Sequence, residues 1–339
     1  MEHAAHFPDM SRIYEILQIL DNRYGDNSEL IQQVDTRLRG RSLALFLGAG
    51  ISLDANVPDW QGLLHGLTRK LKPEPRNGSD LILEVYYQLN RQAPLILGQQ
   101  LEDHLDKRFI HEIRSLLYSM VQPSNTIKAI ANLCARTEPI PRVITYNYDD
   151  LLEEELRERG VPFNLIVEPN HEFSEDILNV IHIHGYVPRS AAEADHSGIV
   201  LGEQKYYALW NRPFDWINIA QLTTLVQYQA LFIGFSFNDP NVRRLLEIST
   251  KHVPGKRHFA ILRRIHPNDL LDAIAYSCKL DVNTPSGRIT ALRKLSELSD
   301  SLGWLFDMQA DLYQTLGLQV LWVNQYSDIP YLINELAKI

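Results

Sequence analysis

Four short runs carry the residue types in this chain that can do chemistry. They are Leu47-Gly48-Ala49-Gly50-Ile51-Ser52, Thr145-Tyr146-Asn147-Tyr148-Asp149, His182-Ile183-His184-Gly185 and Gly234-Phe235-Ser236-Phe237-Asn238-Asp239. Glycines at a turn let the backbone take positive φ and let a phosphate approach it closely, so anion binding there needs no basic side chain. An asparagine is uncharged yet both donates and accepts, which suits it to ribose hydroxyls or a held water. A histidine accepts a hydroxyl proton near neutral pH. Taken in this order, the four runs describe a pocket for a dinucleotide, with an amide and an imidazole set to act on it.

Each residue also has a plain structural role open to it. Gly48-Ala49-Gly50 can be a tight turn without a ligand. Asn147 can cap the helix that follows, a role for which Asp149 competes. His182 and His184 lie two apart on an expected strand and so point to opposite faces. Only one of them reaches a site, and His184, beside Gly185 at the strand end, is the better placed. The same geometry argues against the pair chelating a metal. Ser236 can meet a phosphate or ribose, while Asn238 or Asp239 caps a helix starting near Pro240.

The elements that must hold these runs follow from the apolar pattern. Residues 12–39 have helical spacing, broken at 22–27, and 42–47 is a continuous apolar run that reads as a buried parallel strand. From about 61 to 136 the pattern is helical. Leu63, Leu64 and Leu67 share one face, and Leu81, Ile82, Val85 and Leu89 another, with the clearest loop at 72–78. Alternation then resumes, with strands expected at 142–145, 163–167, 180–184, 230–233, 258–262 and 318–323. Helices are expected at 149–159, 203–209, 213–227, 240–250, 267–279, 285–316 and 330–337, and a polar loop at 190–197. This is the pattern of a doubly wound, Rossmann-like parallel α/β sheet, whose ligands bind at the carboxyl ends of its strands.

Composition narrows the class. The 339 residues are 45% apolar, enough for a substantial core, and the formal net charge of −9 gives no general nucleic-acid footprint. No apolar run reaches the length of a membrane span, and the first residues do not read as a secretory signal, so a cytoplasmic setting is expected. Two cysteines, Cys134 and Cys278, supply neither a disulfide framework nor a zinc ribbon. About twenty residues after the first glycine turn, where an ordinary dinucleotide fingerprint places an acid, stand Arg69, Lys70 and Lys72. Hydride-transfer chemistry is therefore not expected.

Jointly, the four runs resemble the sirtuin family, more closely its bacterial NAD-cleaving, phage-defence branch than the protein deacetylases. Gly48 to Ser52 is similar to the family's Gly-Ala-Gly-Ile-Ser cofactor loop, and Val57-Pro58-Asp59-Trp60 to an Ile-Pro-Asp-Phe element. Thr145 to Asp149 resembles Thr-Gln-Asn-Ile-Asp, His184-Gly185 the catalytic histidine and its glycine, and Gly234-Phe235-Ser236 the Gly-Thr-Ser loop. The departures are Gln61 in place of an arginine, Tyr146 in place of the glutamine, and the missing cysteine pairs of the deacetylase zinc module.

The resemblance implies a sirtuin-like fold over 1–339. Residues 1–40 would be N-terminal helices, 41–60 and 140–339 the core, and about 61–138 a helical insertion. It implies Asn147 and His184 as catalytic residues, and Gly48, Ala49, Gly50, Ser52, Asp59, Asp149, Gly234 and Ser236 as the cofactor-binding set, with no metal. The activity implied is NAD glycohydrolysis, NAD being the substrate, as the toxic effector of an anti-phage system. A non-catalytic NAD or ADP-ribose sensor, and a protein deacylase or ADP-ribosyltransferase, are the alternatives. No second sensory domain is evident, so control is expected from self-assembly or from a partner such as an ATPase or an Argonaute-like protein. Residues 1–40 and 285–316 are the candidate contact surfaces.

Overall fold

The computed structural model describes residues 10–71, 94–136, 140–190, 198–253, 255 and 257–338. In chain order its strands are β1 (Leu43–Leu47), β2 (Arg142–Thr145), β3 (Phe163–Ile166), β4 (Leu178–His182), β5 (Gln229–Ile233), β6 (His258–Arg263) and β7 (Leu318–Val323). Its helices are α1 (Met10–Arg23), α2 (Ser28–Arg39), α3 (Trp60–Leu71), α4 (Pro94–Leu105), α5 (Phe109–Tyr118), α6 (Asn125–Cys134), α7 (Leu151–Glu158), α8 (Glu203–Asn211), α9 (Trp216–Gln227), α10 (Pro240–His252), α11 (Pro267–Cys278), α12 (Pro285–Glu297), α13 (Ser299–Thr315) and α14 (Ile329–Lys338).

The seven strands form one sheet in the order β3-β4-β2-β1-β5-β6-β7, every pairing parallel. Parallel neighbours need a crossover between them, and the helices that supply it cover both faces. That is why β1 reads Leu-Ala-Leu-Phe-Leu with all five residues buried. Alternate residues feed different cores. Leu43, Leu45 and Leu47 pack with Val143, Val180 and Leu231 under α2–α7 and α14, while Phe46 packs with Ile144, Ile181 and Phe232 under α9 and α10. A third, separate cluster joins Ile16 of α1 to Leu271, Ala291, Leu295, Leu302 and Phe306 of α11–α13.

Two expected boundaries move. The strand expected at 180–184 ends at His182, because its neighbour β2 stops at Thr145, the partner of His182. The last ladder bond runs from Ile183 N to Thr145 O (3.1 Å), and past it β2 offers His184 no strand partner, so the chain leaves the sheet. The helix expected at 285–316 divides at Leu298, whose N–H is shared between the carbonyls of Lys294 (3.2 Å) and Leu295 (3.1 Å). The loop expected at 72–78, the helical face from Leu81 to Leu89 and residues 191–197 of the polar loop lie outside the described residues. Among the described residues, no helix is long and apolar enough to cross a membrane.

Leu45 sits at the centre of this arrangement, fully buried and paired with both Val143 and Leu231. Truncating it leaves a cavity that rigid strands on both sides cannot fill. Leu45→Ala is expected to lower unfolding free energy by about 2–5 kcal/mol, measured as a shift in the denaturant midpoint at unchanged slope.

Candidate active site

The chain leaves β1 toward β2 on one side and, after β4, crosses back to β5 on the other, so β1 and β5 flank the switch point of the sheet. A crevice opens at the carboxyl ends of such a strand pair. Here it is built by two interlocked glycine turns. Gly48 N donates to Ile233 O (2.9 Å) and Gly50 N to Gly234 O (3.1 Å). A Cβ on Gly48 would stand 2.6 Å from Gly234 O, and one on Gly50 2.8 Å from Gly234 Cα. Gly234 itself has φ +76°, and a Cβ there would lie 2.7 Å from Ile51 N. No other residue type fits at these contacts.

Past Gly48 the chain winds into a 3-10 helix, Ala49–Ala55. This carries Ser52 inward, where its hydroxyl donates to Asp149 Oδ2 (3.1 Å) and accepts from Asn147 Nδ2 (3.0 Å). All three residues are buried. The relay has a direction. An ionised Asp149 accepts the hydrogen bond of the Ser52 hydroxyl, Ser52 then offers its lone pair to the asparagine NH₂, and Oδ1 of Asn147 is left as the outward acceptor. That oxygen is buried with no hydrogen-bond partner among the described residues. Burial, with Glu153 nearby, pushes the Asp149 carboxyl up to about 6, against the bonds from Leu151 N and Ser52 that lower it.

His184 stands across the crevice. Gly185, at φ +101°, turns the chain so tightly that a Cβ would meet Ile199 Cα at 2.8 Å, and Val200 N donates to His184 O (2.8 Å). The imidazole lies edge-on to the Tyr146 ring, centroids 4.8 Å apart, and Tyr146 in turn meets Phe235 at 5.1 Å. Tyr146 is held by its hydroxyl bond to Gln221. His184 is partly exposed, yet its Nε2 is buried and unpartnered among the described residues. Burial lowers its pKa to about 4, opposed only by the charge of Asp239, so the ring is a neutral acceptor at pH 7.

These groups line one cavity of about 470 Å³, bounded by the two glycine turns, the segment 57–63, the start of α4, and α8 and α10. Of the residues expected from sequence, Gly48, Ala49, Ser52, Asp59, Asn147, Asp149, His184, Gly234 and Ser236 reach it. Gly50 does not. Its place is behind the wall, where its N–H and missing side chain let the two turns lock together. Asp59 is tied down as a cap, accepting from Gly62 N (2.7 Å) at the start of α3.

Sequence reasoning did not assign Trp60, Tyr148, Tyr206 or Leu117 to the site, and all four line it. Tyr206 donates a hydroxyl hydrogen bond to Asp239, which also accepts from Asn241 N (2.7 Å) and so caps α10, as its sequence position suggested. Phe237, buried with its ring stacked on Phe235, takes φ +56°, an uncommon conformation for an aromatic residue that marks this loop as locally strained. Trp60 and Tyr148 stand inside the runs Val57–Trp60 and Thr145–Asp149, beside assigned residues, whereas Leu117 and Tyr206 arrive from helices α5 and α8, where no local sequence signal marks them. Among the described residues no group of His, Cys, Asp and Glu could hold a metal, and Cys134 and Cys278 sit on separate helices.

Because Gly234 combines a positive φ with backbone contact on its empty side, Gly234→Ala is expected to cost more than an ordinary surface change, about 1–3 kcal/mol. Thermal unfolding of the variant checks this, and an unchanged midpoint would contradict the interlock.

A SIR2-like domain model matches residues 141–278, which hold Asn147, His184 and the second glycine turn. The chain is 28% identical over 246 residues to an NAD(+) hydrolase ThsA of Acinetobacter baumannii (strain 532279), covering 71% of this chain and 46% of that protein. It is 24% identical to an NAD(+) hydrolase ThsA of Cytobacillus dafuensis, covering 72% and 45%. To Defense-associated sirtuin 2 of Bacillus subtilis it is 24% identical over 267 residues, covering 76% and 24%. The chain thus matches less than half the length of each of these relatives. A solved structure from work on the mechanism and regulation of Sir2 enzymes aligns at 16% identity and a TM-score of 0.36, over 80% of this chain and 97% of that one. A score that low carries no argument, and the fold rests on the sheet itself. The SIR2-like domain match thus takes in the Asn147–Asp149 run, the His184-Gly185 pair and the second glycine turn of this site.

Proposed function

We propose that this chain is an NAD glycohydrolase, converting NAD and water to nicotinamide, ADP-ribose and a proton. One observation carries the reading: Asn147 Oδ1 and His184 Nε2 are both buried acceptors without a partner among the described residues, and both residues face one cavity beside two glycine turns. Such atoms are costly to bury unless a ligand completes them. The side-chain-free turns suit a pyrophosphate, and the largely apolar walls suit the rings of a dinucleotide. The names of the relatives, NAD(+) hydrolase and defence-associated sirtuin, support the same substrate and a role in defence by NAD depletion.

The bond between the nicotinamide nitrogen and the ribose carbon breaks with its electron pair going to the ring, which leaves as neutral nicotinamide. The sugar passes through an oxocarbenium-like state. Because the leaving group begins as a cationic pyridinium, no acid is needed to expel it. Asn147 Oδ1 accepts from a ribose hydroxyl or from the attacking water and holds it in line, a positional contribution. Neutral His184 takes the proton from water as the new carbon–oxygen bond forms, then passes it to solvent. Gly48, Ala49, Gly234 and Ser236 hold the phosphates and adenosine, with Asp149 acting through Ser52 on the asparagine.

The wider reading is a single sirtuin-like domain over 1–339, acting in the cytoplasm as a homo-oligomer or with a partner such as an ATPase or Argonaute-like activator. Trp304, Leu305, Met308 and Leu312 support assembly, since they lie exposed along one side of α13 inside the segment singled out from sequence.

Asn147→Ala and His184→Ala are each expected to lower NAD turnover by about 100-fold or more while calorimetry still detects NAD binding. Unchanged turnover in both would sink the assignment, and tight binding without turnover in the parent protein would favour a sensor.

A pH dependence follows from Asp149. Above about 6 the carboxylate is ionised and the relay points Asn147 Oδ1 into the cavity. As pH falls through that value Asp149 gains a proton, becomes a donor, and the relay loses its direction. On the acid side, initial rates should therefore be level near pH 7 and fall toward about tenfold per pH unit well below 6, a one-proton limb. Ser52→Ala removes the hydroxyl through which Asp149 acts, so the variant should be slower at neutral pH and should lose this limb.

A further inference from the structure

His182 ends β4, is almost wholly buried, and is not among the residues lining the cavity. Its ring nevertheless reaches the site through the backbone. Nδ1 lies 3.0 Å from the carbonyl oxygen of Asn147, and Nε2 lies 2.8 Å from Glu153 Oε1. The carbonyl has no proton to give. A neutral imidazole carries one N–H and can satisfy only one of two acceptors, so the second bond needs either a second ring proton or a proton on Glu153.

Two features favour the ring. Glu153 stands in the first turn of α7, where the helix dipole stabilises a carboxylate. Asp149, on the loop ahead of α7, adds a second negative group facing the imidazole, and the Tyr186 ring packs on it edge-to-face at 4.6 Å. Burial opposes the charge, but Glu153, the Asn147 carbonyl and Asp149 together outweigh it, and the net displacement of the histidine is upward.

The consequence falls on Asn147. Its N–H donates to Thr145 Oγ1 (3.1 Å), its Nδ2 to Ser52, and its carbonyl is held from below by His182. With those three points fixed, the carboxamide oxygen has only the cavity to face. We propose that His182 is an imidazolium clamped between Glu153 and the Asn147 carbonyl, and that this buried ion pair is the positioning device that aims the Asn147 carboxamide at the substrate. The functional half of this rests on the glycohydrolase reading. The protonation state and the geometry do not.

The test begins with the parent protein, labelled with ¹⁵N-histidine, at pH 7. Nitrogen NMR should show both ring nitrogens of His182 protonated, with the resonance assigned by its loss in His182→Gln. A single protonated nitrogen would mean a neutral ring against a protonated Glu153 and would overturn the proposal without any variant having to fold.

In Glu153→Gln the ring should lose its second proton at lower pH, and the side-chain amide signal of Asn147 should shift. The kcat for NAD should fall roughly 10- to 100-fold, with KM changed far less, as expected for misaimed rather than lost binding. The alkaline limb of the kcat profile should move to lower pH, because deprotonation then breaks the clamp sooner. An unmoved Asn147 amide signal, or unchanged kcat and pH profile with the ring proton gone, would overturn the positioning role. Absence of NAD turnover in the parent protein would refute the activity reading alone, since the ring and amide signals still decide the clamp.

Discussion

Everything in this site depends on the contact between two backbones. β1 and β5 run parallel at the switch point, and both must turn away at the same level so that a crevice opens between them. Their turns then occupy the same space. Gly48 and Gly50 on one side and Gly234 on the other fit only because none carries a side chain, and the bond from Gly50 N to Gly234 O locks them together. The wall of the cavity, the entry angle of the 3-10 helix and hence the position of Ser52 all follow from that contact.

A second constraint is electrostatic. The same burial acts in opposite directions on Asp149 and His184, which both face the cavity. It pushes the Asp149 carboxyl up to about 6 and the His184 imidazole down to about 4, because in each case it disfavours the charged form. Asp149 stays ionised at neutral pH through its bonds from Ser52 and Leu151 N, whereas His184 has no such help and stays neutral. One charged and one neutral acceptor thus stand across the same crevice. Behind them, His182 and Glu153 form a buried pair that never meets the cavity yet touches the backbone of Asn147. Removing either partner would leave the other buried and unpaired, so the pair is costly to break even though it adds little net stability.

Much of the fold was legible from apolar pattern because a parallel sheet covered on both faces leaves a strong signature. β1, β2, β5, β6 and β7 fell within a residue or two of their observed ends, since each is a short run of β-branched and aliphatic residues bounded by turn residues. The miss at β4 has a physical origin. The run from Val180 to His184 alternates isoleucine with histidine regularly enough to be a strand throughout, but a strand needs a neighbour, and β2 has ended at Thr145. The break at Leu298 was equally invisible, as helical periodicity continues across it while the backbone bond changes partner.

The sequence by itself determined which residues could serve: glycines where backbone must approach backbone, an asparagine and a histidine past strand ends, and too few cysteines for a zinc module. These are local facts, legible because a turn or a strand end imposes its demand on the residues that form it. Tertiary structure alone decided what each residue does there. It put Gly50 behind the wall instead of in the cavity, and brought Leu117 and Tyr206 to the site from helices far from the four runs. It also joined Ser52, Asn147 and Asp149 into one directed relay, and gave His182 a carboxylate 29 residues upstream. Hydrogen-bond direction and burial depend on which groups meet across the sheet, and neither strand order nor crossover path is written in any short stretch of residues.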